Sequence, residues 1–148
     1  DPMFNPDRDQ ARRFLIEAWR KRCASLPATP METLAADVAA LHPEYHGLLS
    51  AIDGVDEALA REWTPEQGEA NPFLHLSLHL AIEEQLSIDQ PPGIRAAFGQ
   101  LLARHGDRHA ALHDILECLG ETLWRAQRDH APPDGAAYLE CMRRIKAG

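Results

Sequence analysis

Residues 71–89 read NPFLHLSLHLAIEEQLSID, and this run constrains the fold more than any other. Asn71-Pro72 supplies an N-cap residue followed by proline at the first helical position, where its missing N–H costs nothing. With a helical advance of roughly 100° per residue, Phe73, Leu74, Leu76, Leu78, Leu80, Ile82, Leu86 and Ile88 surround the circumference. A helix apolar on all sides belongs in the middle of a domain. The expected architecture is therefore all-α, a compact helical bundle of about six helices packed around this central apolar helix.

The flanking sequence supplies the other helices. Asn5-Pro6 opens one with Phe14, Leu15, Ala18, Trp19 and Cys23 on one face, and Ser25-Leu26-Pro27 stops it. Thr29-Pro30-Met31-Glu32 is a capping box, in which threonine and glutamate each satisfy a free N–H at the other's position. His42-Pro43 interrupts the helix that follows, because a residue before proline avoids helical dihedrals. A short helix then runs to about Ile52. Residues 53–70 form the longest irregular stretch, and a connection of that length is often functional; it leads into the 71–89 helix and could gate a site there. Gln90-Pro91-Pro92-Gly93 separates that helix from another ending at Gly106. Asp107 caps the next, and Pro132-Pro133-Asp134-Gly135 opens the last.

At 148 residues the chain is expected to be one domain. It begins Asp1-Pro2-Met3, and Met3 is read as the natural start, with residues 1–2 an expression remnant and 3–148 the single helical domain. No apolar run approaches the roughly 18 residues that span a bilayer, so no membrane partner is expected. The net charge of −8 is unevenly placed: residues 29–90 hold Arg61 alone against twelve Asp and Glu. Such a surface repels phosphate backbones, which excludes nucleic acid as an expected partner. Arg12, Arg13, Arg20, Lys21 and Arg22 on the first helix are expected to answer the acidic middle segment, within the chain or in a neighbouring copy. Cys23, Cys118 and Cys141 are odd in number and widely spaced, with no CxxC pair. They read as reduced, buried thiols and hence as a cytoplasmic protein.

The chemistry lies in a pattern written twice, His75-x3-His79-x3-Glu83 and His109-x3-His113-x3-Glu117. Residues four apart stack on one helix face, so each triplet makes a stripe of two imidazoles and a carboxylate. These groups bind zinc, iron, manganese or nickel. The zinc-protease helix needs glutamate directly after its first histidine, and Leu76 stands there instead. Ferritin-type di-iron bundles use Glu-x-x-His pairs, and the chain has none in the expected places. Its spacings of four resemble, in ligand style, the hemerythrin-like and DinB-like bundles.

His75 and His79 are the expected primary ligands, with His113 and His109 completing the shell. Glu83 and Glu117 are expected as further ligands or as groups that orient the imidazoles. His46 is a candidate from the short helix after Pro43; His42 is a weaker one, being held extended by that proline. The competing expectation is a non-enzymatic interaction module, docking a protein partner or a second copy, whose histidines form a structural hydrogen-bond network.

Beyond chemistry, Phe4-Asn5-Pro6, His42-Pro43-Glu44-Tyr45-His46, the run NPFLHLSLHLAIEEQLSIDQPPGIR at 71–95 and ECLGE at 117–121 resemble the bacterial family known as domain of unknown function 1841. The resemblance implies a stand-alone cytoplasmic protein of about this length and implies no activity.

Overall fold

A computed structural model of the chain describes residues 6–50 and 71–145. Among them are seven α-helices, one short 3-10 helix and no strand. The helices are α1 (Pro6–Cys23), α2 (Pro30–Ala40), α3 (His46–Leu49), α4 (Pro72–Ile88), α5 (Ile94–His105), α6 (Arg108–Asp129) and α7 (Gly135–Arg144), with the 3-10 turn Pro43–Tyr45 leading into α3. The all-α expectation holds. The 53–70 connection lies outside the described residues. Contacts divide the chain into two compact units, Asp1–Leu80 and Ala81–Gly148, and α4 contributes its first half to one and its second half to the other.

In the first unit α1 packs on α2 and on α3. The capping box forms as read: the Glu32 N–H donates to Thr29 Oγ1 at 3.1 Å, and the Thr29 N–H donates to Glu32 Oε1 at 2.9 Å. Leu15, Ala18, Ala35, Val38, Ala39, Leu49, Phe73 and Leu76 form the core, with Trp19 and Leu80 against its edge. The basic end of α1 meets the acidic face of α2, Lys21 with Glu32 at 2.7 Å and Arg22 with Asp37 at 2.6 Å. Lys21, then the Thr29 amide, holds the Glu32 carboxyl below the usual carboxylate range. Arg12 is not a surface charge: it is buried, its guanidinium 4.9 Å from the centre of the Phe73 ring.

In the second unit α5, α6 and α7 pack against one another. Ile82, Ile94, Leu101, Ala111, Ile115 and Met142 are each at most 1% exposed. Asp89 organises the turn between α4 and α5. Its carboxylate accepts the Arg95 amide at 3.0 Å and the Gly93 amide at 3.3 Å, which hold it below the usual range. Arg95 in return donates to the carbonyls of Leu86 and Ser87 at the end of α4. Gly106, at φ +67°, closes α5 through its amide to the Leu102 carbonyl.

Two expectations are corrected. Leu76 and Ile82 are buried on α4, but Leu74 is 56% and Ile88 65% exposed, so the helix is not covered on all sides. Leu74, Glu84 and Ile88 fall within one strip at helical spacing, and that strip is open. The thiols also differ from the reading. Cys118 on α6 and Cys141 on α7 are joined in a disulfide across 5.8 Å between Cα atoms, and Cys23 is exposed. The inference of a reducing compartment rested on unpaired thiols and loses that ground. No helix among the described residues is long and apolar enough to cross a membrane.

Tyr138 gives the second unit a pH dependence. Its hydroxyl donates to Gln85 Oε1 at 2.8 Å, and burial pushes its phenol well above the ordinary value near 10. Above about pH 10 the unfolded chain loses this proton and the folded chain keeps it, so stability falls as pH rises. Urea midpoints at about pH 9 and about pH 11 should therefore drop more in the wild type than in Tyr138→Phe. Equal drops would mean that the phenol titrates normally in the fold.

Candidate metal centre

The end of α2 sets the site. The last carbonyls of a helix lie outside its regular ladder; those of Val38 and Ala39 accept the Leu41 and His42 amides, and two histidine rings donate to them as well. His42 Nδ1 donates to the Val38 carbonyl at 2.8 Å, and His46 Nε2 donates to the Ala39 carbonyl at 2.7 Å. A carbonyl only accepts, so the proton of neutral His42 is on Nδ1 and its lone pair is on Nε2. This is the device by which a backbone carbonyl fixes the tautomer of a metal-binding imidazole. Pro43 does hold His42 away from helical dihedrals, at φ −126° and ψ 68°. That departure, rather than weakening His42 as a ligand, accompanies the turn of its ring back toward α2.

His42 meets the α4 stripe. Its ring centre lies 5.0 Å from that of His75 and 4.7 Å from that of His79, and His75 and His79 are 4.8 Å apart. One ligand atom from each of the three lies within 4.8 Å of the others. Two nitrogens sharing a zinc ion stand at most about 4.1 Å apart, twice the bond length. His42 and His79 are each 3% exposed and His75 is half-buried, so the three rings sit in a largely dry place. Tyr45 walls it: its ring is parallel to His42 at 5.7 Å and edge-on to His75 at 6.0 Å. Burial, then the Glu44 charge, raises its phenol above the ordinary value.

The other sequence candidates lie on α3, on the second half of α4 and on α6. His46 stacks on Trp19 at 4.1 Å, and the Trp19 indole donates to Ser50 Oγ at 3.1 Å, so this imidazole is built into the α1–α3 packing. His109 and His113 are exposed on α6 with ring centres 4.3 Å apart, and Glu117 is exposed one turn further on. Glu83, on the second half of α4, is held by Arg108 at 2.9 Å. His105 pairs with Asp114, and His130 caps the end of α6. The signal that would have promoted His42 over His46 was present in the sequence: a histidine just beyond a helix end can reach the helix's last carbonyls.

A family model described as "Domain of unknown function (DUF1841)" matches residues 7–144, spanning both units. No match to the chain was found among curated proteins or among solved structures.

Proposed function

The chain belongs to the DUF1841 family, a membership that carries no activity with it, and from the geometry of its histidines we propose that it binds one divalent transition-metal ion through His42, His75 and His79. The observation that supports this is the convergence of three imidazoles, one with its tautomer set by a helix-terminal carbonyl. His113, His109 and Glu117, the exposed stripe of α6 in the second unit, are not carried into this proposal. Glu83, already engaged by Arg108, is given an orienting role and not a place in the shell. Three nitrogen ligands suit zinc, iron or nickel ahead of manganese, which prefers carboxylate oxygen.

A docking role for the basic first helix has less to draw on. Arg20, Lys21 and Arg22 are all engaged within the first unit, with Glu17, Glu32 and Asp37.

Elemental analysis of tag-free protein, after exposure to each metal and gel filtration, tests the reading. The expected result is about one ion per chain for at least one of zinc, iron and nickel, lost in His42→Ala and in His79→Ala. A stoichiometry near zero for every metal, or equal uptake by the two variants, would leave the histidines structural and the interaction-module reading ahead.

A further inference from the structure

We propose that the Cys118–Cys141 disulfide is a thiol-exchange site, at which a small charged peptide thiol attacks Cys141 and displaces Cys118. The two half-cystines differ in access. Cys118 on α6 is 3% exposed, whereas Cys141 on α7 is only half-buried. A disulfide opens when a thiolate reaches one of its sulfurs, so access selects the sulfur attacked. Both half-cystines also line a cavity of about 630 Å³ within the second unit. Along α6 the lining continues from Cys118 through Thr122 and Arg125 to Asp129, the spacing of one helix face. A cavity of this size is in the range that holds a small molecule, and the bond is part of its wall. A purely structural tie needs neither the cavity nor the difference in access.

The class of thiol follows from the lining. Arg125, Arg128 and Arg144 stand there with Glu121, Asp129 and Glu140, each arginine paired with one of the carboxylates. These pairs are exposed, and exposed pairs are worth little, so a ligand's own charges replace them at small cost. A peptide thiol bearing an ammonium and carboxylates meets both signs on this wall, and an uncharged thiol gains nothing from them. In the exchange, the incoming sulfur bonds to Cys141 Sγ as the bond between the two Sγ atoms breaks. That bond's electron pair leaves on Cys118 Sγ, which takes a proton from water. A second thiolate attacking the outer sulfur of the adduct releases the peptide disulfide and a Cys141 thiolate, so two electrons pass from two thiols to the protein. Burial makes Cys118 a slower leaving group. It slows the step, whereas a shielded sulfur is not attacked at all without local opening.

Reduced glutathione is the probe, on the full chain carrying Cys23→Ser so that the exposed third thiol takes no part. Brief exposure, acid quenching and peptide mass mapping should place the glutathione adduct on Cys141, with Cys118 as the free thiol. The rate of opening by glutathione, divided by that with 2-mercaptoethanol at equal thiolate concentration, should be several-fold higher in native protein than in urea. An adduct on Cys118, or one that forms only in urea, would overturn the exchange site. Two free thiols in protein that has met no reductant would remove it altogether. A rate ratio that is the same in both conditions would overturn the role given to the charged cavity, even with the adduct on Cys141.

Discussion

Alanine at position 79 should lower the melting temperature of the metal-loaded protein far more than that of chelator-stripped protein. An ion that binds only the folded chain stabilises it by about 2.7 kcal/mol when present at a hundred times its dissociation constant. Removing a principal ligand forfeits most of that amount. At roughly 3 °C per kcal/mol for a chain of this size, the metal-dependent part of the gap is on the order of 8 °C. A second, metal-independent loss adds to it, because His79 is almost fully buried and its removal leaves a cavity and altered polar contacts worth about 1–3 kcal/mol. Only the difference between the two conditions reports on the ion. Wild type and His79→Ala, each melted with metal and with chelator, give the four curves required. A gap of the same size in both conditions would make the imidazole a packed core group and end its role as a ligand.

Much of this site was legible because helical spacing is rigid. His75 and His79 share a face whatever packs on them, and Thr29 with Glu32 defines a helix start by local bonds alone. The third imidazole was harder to see. The rule about residues before proline gave the correct backbone for His42. The inference drawn from it was too strong, since an extended backbone at a helix end leaves the side chain free to turn back to Val38. Apolar periodicity failed differently on α4. It shows that Leu74 and Ile88 are apolar, not that a neighbour covers them, and both are exposed. Arg12 shows the converse: read only as one of a basic cluster on the first helix, it is buried, with its guanidinium over the Phe73 ring. The misses at Leu74, Ile88 and Arg12 concern which elements stand side by side, information that no single segment carries.

The same limit hid the disulfide, and opening it should be the other large effect. Cys118 and Cys141 lie 23 residues apart on consecutive helices, α6 and α7, that pack against each other. Closing a loop of that length removes unfolded-state entropy worth about 3 kcal/mol. Both helices belong to the second unit, so its unfolding is where the loss should register. On chelator-stripped protein, a reductant should lower the melting temperature of the wild type by roughly 10 °C. Cys141→Ser should melt close to the reduced wild type and show no further response to reductant, since Cys23 has no partner to lose. Thiol counting before reduction supplies the independent check. The bonded pair leaves Cys23 alone to react in the native protein. If all three cysteines react on unfolding without reductant, and the melting temperature ignores reductant, the two sulfurs are neighbours in the core and not a covalent tie.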